Sequence, residues 1–385
     1  VVQSDGTWSV TVPATNVDAL ADGNATVTAS VNDVAGNPTS VSRVALVDAT
    51  PPVVTINPVA TDNVINTPEH TQAQIISGTV TGAQAGDIVT VTLNNSDYTT
   101  VVDGSGNWSL GVPASVVSGL VDGSYPVSVS VTDRAGNSGS QSLTVTVNTA
   151  APLIGINSIA GDDVINASEK GADLQITGTS DQPVNTAITV TLNGQNYTTT
   201  TDASGNWSVT VPASAVTALG QANYTVTAAV TSSIGNSNTA SHNVLVDSAL
   251  PGVTINPVAT DDIINAAEAG VAQTISGQVT GAEDGDTVTI TLGGNTYTAT
   301  VGSNLTWSVS VPAADIQALG NGDLTVSASV TNQNGNTGSG SRDITIDANL
   351  PGLRVDTVAG DDIVNSIEHG QALVISGSSA GGEAG

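Results

Sequence analysis

The chain contains no cysteine, no methionine and no phenylalanine, and only five of its 385 residues are lysine or arginine. Without cysteine there is neither a disulfide nor a thiolate metal site. A small secreted domain without disulfides needs another staple, usually a metal. Without basic residues there is no patch to meet phosphate. Thirty-four acids against five bases leave a net charge of −29, which excludes nucleic acid and anionic membrane surfaces as partners. No run approaches the ~18 apolar residues of a spanning helix, so no membrane insertion is expected. With no methionine and no signal-peptide pattern, the chain reads as a segment of something longer.

What is present is a repeat. The four tryptophans fall at Trp8, Trp108, Trp207 and Trp307, 100, 99 and 100 residues apart. Around them runs G-T-W-S-V-T-V-P-A (6–14), with close copies at 106–114, 205–213 and 305–313. A second block keeps the same period: T-D-N-V-I-N (61–66), G-D-D-V-I-N (161–166), T-D-D-I-I-N (260–265) and G-D-D-I-V-N (360–365), each followed by a glutamate, Glu69, Glu169, Glu268 or Glu368. A third block marks the joints, with Asp48, Asn148, Asp247 and Asp347 each leading into a Pro-containing linker that proline stiffens. The repeat is too long for a solenoid unit and suits a whole domain. Complete units are placed at 50–149, 150–248 and 249–348, with a C-terminal half unit at 1–49 and an N-terminal part at 349–385.

Within a unit the apolar period is two. In I-V-T-V-T-L (88–93), Val89, Val91 and Leu93 face one side and the threonines the other, the mark of a half-buried strand. Seven strands are predicted in the 50–149 unit, near 53–58, 73–80, 87–93, 97–102, 107–112, 125–132 and 141–148, with a helical turn only within 113–123. Seven short strands separated by turn residues imply an all-β fold of tandem immunoglobulin-like β-sandwiches. Each Trp then reads as a core residue. A sugar-stacking platform would need several aromatics together, and the chain has nine in all.

Counting strand directions collects the acids. The D-D…E block, the fifth-to-sixth loop (Asp22, Asp122, Gln221, Asn321) and the exit linker fall at the bottom of one unit. The turn ending in G-N, with Asp33 or Asp133, falls at the top of the next. This counting assumes regular strand alternation, which a sheet-switching first strand would break. Crowded carboxylates repel unless a cation sits between them, and five bases cannot serve four joints. Ca²⁺ suits oxygen donors, whereas no Cys and three His make zinc a poor fit. The competing reading is solvated loop acids and turn-forming Asp. The expected Ca²⁺ ligands are Asp22, Asp48, Asp62, Asn63, Glu69, Asp122, Asp133, Asn148, Asp162, Asp163, Glu169, Asp247, Asp261, Asp262, Glu268, Asp347, Asp361, Asp362 and Glu368.

The run from the linker at 48–52 through 62–66 and 106–109 to T-D-R-A-G-N (132–137) resembles the bacterial Ig-like repeats of giant type I-secreted adhesins. Related repeats occur in biofilm-associated proteins and ice-binding RTX adhesins. The resemblance covers the whole chain. It implies export by a type I system, retention at the bacterial cell surface, Ca²⁺-rigidified joints with ligands on the linker Asp, the D-D pair and the following Glu, and contact with host cells or surfaces. Asn63, Asn148, Ser232 and Asn332 depart from the pattern, which puts coordination at those joints in doubt.

Three functions compete. One is a monomeric structural stalk whose neighbouring repeats hold each other in line and carry a distal binding region. Another is direct binding of a host glycan or receptor, suggested by divergent loops at 180–185 and 231–235. The third is catalysis, with paired Asp as acid and base. His70 and His369 follow the repeated Glu, but Lys170 and Ala269 take that place in the other copies, and a catalytic residue should not become alanine. The sequence therefore reads as non-enzymatic.

Overall fold

The computed structural model describes residues 1–381. In the 50–149 unit, β1 (Val53–Val54), β2 (Val64–Ile65), β3 (Gln74–Thr81), β4 (Ile88–Leu93), β5 (Ser96–Val101), β6 (Asn107–Val112), β7 (Gly123–Thr132) and β8 (Ser138–Val147) form two layers. One is the antiparallel sheet β1-β3-β6. The other is ordered β2-β8-β7-β4-β5 and is antiparallel except where β2 runs parallel to β8. The same two sheets recur around Ile154–Ile156, Leu174–Ser180 and Asn206–Val211, and again around Gly252–Ile255, Gln273–Thr280 and Thr306–Val311.

Alternation decides which residues fill the space between the layers. Val89 and Val91 are fully buried, and Val127, Val129 and Val131 face them from β7. Three separate apolar cores result, within 54–147, 159–246 and 253–346. Each buried aliphatic side chain contributes roughly 1.5–3 kcal/mol of transfer free energy. Trp108, Trp207 and Trp307 lie in these cores. A glycine on the neighbouring strand makes room for each: a Cβ on Gly178 would stand 2.3 Å from the Trp207 ring and 2.0 Å from the Gly155 carbonyl oxygen.

Three expectations need correcting. The first strand is shorter than 53–58 and is followed by β2, inside the block expected to be a loop. A second helical turn, α1 (Thr67–His70), is capped by Asn66 with Pro68 in its first turn, where proline's missing N–H costs nothing. Trp8 is 54% exposed and lies outside any strand, because 1–49 holds the hairpin Gly23–Asn32/Pro38–Val47 but not the strand that packs against the other tryptophans.

The chain does switch sheets between β1 and β2, across left-handed residues Ala60, Thr61 and Asn63. Since β2 runs parallel to β8, both segments travel toward the same end of the sandwich. Loop parity therefore survives the switch.

Candidate functional site at the domain joints

The switch itself explains the D-D pair. The first acid, Asp62, Asp162, Asp261 or Asp361, accepts the N–H two residues on, from Val64, Val164, Ile263 or Ile363. The second residue, Asn63, Asp163, Asp262 or Asp362, sits at positive φ and accepts the N–H four residues back, from Val59, Ile159, Val258 or Val358. That bond holds a bend with positive-φ alanine and threonine, conformations costing about 1–3 kcal/mol each.

The second residue also faces the last long strand, and its partner there follows its charge. Asp163 Oδ1 meets His242 Nε2 at 2.7 Å. Both carboxylate oxygens of Asp262 are held by Arg342, at 2.5 and 2.6 Å. Where Asn63 replaces the acid, Leu143 stands at the corresponding position, opposite Val127 as His242 is opposite Val226. The expected gathering of the D-D pair at the joint is thus corrected for Asp163 and Asp262. They lie on the flank of the sheet, two residues inward along it, where Asp163 is bonded to the His242 ring and Asp262 is paired with the Arg342 guanidinium.

The Ile159 N–H and then His242 hold the Asp163 carboxyl below the usual 3.8. A depressed native value stabilises the fold above the unfolded pKa, and the gain is lost as pH falls through the native value. The thermal stability of wild type and Asp163→Asn should therefore differ at pH 5 and converge below about pH 3.8. A constant difference down to pH 2 would rule out this role.

The block ends at the joint with a reciprocal cap. Asn66 Oδ1 accepts the Glu69 N–H at 3.1 Å and Glu69 Oε2 accepts the Asn66 N–H at 3.1 Å. Asn166 with Glu169, Asn265 with Glu268 and Asn365 with Glu368 repeat it. The repeated glutamate is therefore first a helix cap. His70 Nε2 bonds the Leu120 carbonyl oxygen at 2.8 Å, a tie from this turn to the neighbouring loop.

The linker is pinned from the loop before β7, the one between the fifth and sixth of the seven predicted strands. Asp22 accepts from the Ala49 N–H and the Thr50 hydroxyl, the hydroxyl first and the N–H second lowering its pKa. Asp122 accepts from the N–H and hydroxyl of Thr149 at 3.0 and 2.8 Å. Gln221 and Asn321 accept the backbone N–H of Ser248 and Ala348, so an amide oxygen can take the place of the acid for that bond. The linker side chains turn onto their own backbone, as Asn148 does to Ala150, Asp247 to Ala249 and Asp347 to Asn349.

The contact that crosses the joint comes from residues the sequence reading passed over. Each turn ends in Gly-Asn, at Asn37, Asn137, Asn236 and Asn336. Asn236 is fully buried. Its Oδ1 accepts the Thr67 N–H of the preceding unit at 2.7 Å, and its Nδ2 donates to the carbonyl oxygens of Asn148 and Ala150 at 2.8 and 3.0 Å. Asn66 Nδ2 returns a bond to the Ile234 carbonyl at 2.8 Å. Asn336 repeats the clasp with the Ala167 N–H and the Asp247 carbonyl, and Asn137 Nδ2 reaches the Asp48 carbonyl at 3.1 Å. The signal was visible: these asparagines are constant in all four copies, while the first turn residue varies from Asp to Ser to Asn.

Asp48 and Asp133 do come together, through Asn137, which donates to both. Burial pushes the Asp133 carboxyl up, and the Asn137 side-chain and backbone hydrogen bonds more than offset it, leaving it below the usual range. Among the described residues no group of three or more His, Asp or Glu side chains stands close enough to hold a metal. Carboxylates with spare lone pairs beside backbone carbonyls are nonetheless the donor set of a hard cation.

Residues 59–149 match a family described as the bacterial Ig-like domain. The chain is also 33% identical to a solved Ca²⁺-stabilised adhesin with which an Antarctic bacterium reaches out and binds ice, covering 90% of this chain and 86% of that one, at a TM-score of 0.44. The chain belongs to the bacterial Ig-like domain family. A 1.5-MDa bacterial ice-binding adhesin, from a study of host cell surface retention, is 32% identical over 78% of this chain and 100% of its own (TM-score 0.45). A tetra-tandem repeat from the extending region of a large adhesion protein is 28% identical over 90% and 87% (TM-score 0.36). No curated protein sequence matches. The sandwiches described above are thus bacterial Ig-like domains in tandem, and no helix among the described residues is long and apolar enough to cross a membrane.

Proposed function

We propose that these tandem bacterial Ig-like domains are a stalk segment of a secreted surface adhesin, an extended monomeric rod that presents a distal binding region to host cells or surfaces. The repeated clasp from Asn236 and Asn336 to the preceding unit carries this reading, because it sets one domain on the next in the same way at successive joints. The solved Ca²⁺-stabilised adhesin and the extending-region repeat support it. The domains are 50–149, 150–248 and 249–348, flanked by the partial repeats 1–49 and 349–385. The role is structural rather than catalytic: the paired acids already accept backbone N–H groups at the sheet switch, and Asp262 is paired with Arg342. Within the family, the repeat motifs resemble those of the giant non-fimbrial adhesin SiiE of Salmonella, a reading that carries export by a type I system with it.

Ca²⁺, when bound, neutralises carboxylates at the acid-bearing joints. Asp48 and Asp133 at the first joint and Asp247 at the third are the residues that would hold it. The divergent turn at 231–235 is seated in a joint by Asn66 and Thr67, and the loop at 180–185 is tied to Leu153. Both therefore fit a spacer better than a host-glycan site.

Small-angle X-ray scattering in about 1–2 mM Ca²⁺, near the affinity range of extracellular Ca²⁺ modules, and again after EGTA tests the stalk. A long maximum dimension with Ca²⁺ and a broader distribution without it are expected. Identical curves would overturn the Ca²⁺ mechanism.

A further inference from the structure

We infer that the joint between 50–149 and 150–248 is locked without any metal, by an amide latch centred on Asn236, while its neighbours keep the acids that make them respond to Ca²⁺. The inference rests on the stalk reading for its purpose but not for its geometry. At the first joint the linker and turn residues are Asp48 and Asp133; at the third they are Asp247 and Asn332; at the second they are Asn148 and Ser232. At the second joint both of these positions are neutral. Its remaining acids are engaged locally, Asp122 by Thr149, Glu69 by the Asn66 N–H and Asp62 by the Val64 N–H.

The second joint therefore has little repulsion for a cation to relieve, and its polar groups are satisfied by one another. Asn236 spends its carbonyl on the Thr67 N–H and both amide hydrogens on the carbonyls of Asn148 and Ala150. The hydroxyl of Thr67 reaches the Thr149 carbonyl at 3.0 Å, and Asn66 closes the ring on Ile234. One fully buried side chain thus joins three parts: the preceding domain, the linker and its own turn. Separating the domains would strand buried donors and acceptors, which a fully satisfied network resists strongly. At the third joint Asp247 retains its charge, with Oδ2 on Asn334 Nδ2 at 2.6 Å and Oδ1 on the Ala249 N–H at 3.1 Å, so only neutral donors face a carboxylate that a cation would neutralise. The stalk would then hold a rigid two-domain segment under all Ca²⁺ conditions, with hinges on either side of it.

The absence of cysteine makes the test direct. Spin labels on Ser124→Cys with Asn223→Cys span the second joint, and labels on Asn223→Cys with Ser327→Cys span the third. All three positions are exposed and lie in strands. Pulsed electron–electron distance measurements on the full chain, with Ca²⁺ and with EGTA, should give one narrow, unchanged distribution across the second joint. Asn236→Ala should lose that narrow peak in both conditions. Thr67→Pro removes the opposing N–H at a helix position that favours proline, so it should reproduce the loss without touching the turn. Broadening of the wild-type second joint on chelation, or narrow distributions in both variants, would overturn the latch. A third joint that ignores EGTA would instead count against the Ca²⁺ reading of the stalk and leave the latch standing.

Discussion

Replacing Trp207 by alanine should cost the 150–248 domain about 3–5 kcal/mol, the usual range for emptying a buried tryptophan site. The ring is 2% exposed and its Nε1–H donates to the Thr179 carbonyl at 3.3 Å. The cavity cannot close easily, since the ring fills the gap between the two sheets over Gly178. A domain of this size has only about 5–15 kcal/mol in total, so the loss is roughly a fifth of its stability or more. The three cores are separate. Calorimetry should therefore show one transition lowered by on the order of 20 °C, at ~4–8 °C per kcal/mol, with the others in place. Gly178→Ala attacks the same contact from the opposite side. Its Cβ would meet backbone at 2.0 Å and the ring at 2.3 Å, and overpacking of this kind costs typically 1–3 kcal/mol or more. If Trp207 were instead a surface platform for sugar, its removal would change stability by no more than about 0.5 kcal/mol.

The second large effect concerns Asp262. Asp262→Ala removes the acceptor for the N–H of buried Val258, and an orphaned buried donor costs about 1–3 kcal/mol. It also leaves Arg342 without its carboxylate. Asp262→Asn keeps the Val258 bond and gives up only the ion pair, so its loss should be smaller. The 50–149 domain supplies the rescue, because Asn63 there works opposite Leu143. Asp262→Asn with Arg342→Leu should therefore be more stable than either single variant predicts by addition. Denaturant unfolding of the four proteins measures the coupling. A coupling of zero would mean that acid and base merely share a surface.

Period-two alternation at 88–93 was enough to place strand, face and core residues, because a half-buried sheet admits no other pattern. β2 escaped notice because two residues carry no period, and their strand exists only through parallel pairing with β8. The capping box at Asn66 and Glu69 was legible in principle from Asn, Pro and Glu at their spacing, but the same residues also read as oxygen ligands. The acids at 163 and 262 show the ambiguity most plainly. Their spacing fits metal binding and backbone bonding equally, and only the position of His242 and Arg342 one strand away separates the two.

The sequence by itself determined the repeat, the all-β sandwich, the core tryptophans and the absence of disulfides, because composition and period are local properties. The tertiary structure alone decided that the chain changes sheets without changing direction, that Asp163 and Asp262 meet His242 and Arg342 on the last long strand, and that a buried asparagine crosses the second and third joints. Those outcomes depend on residues about 80 to 170 positions apart, and hydrogen-bond partners at that separation are chosen by packing, which no local pattern records.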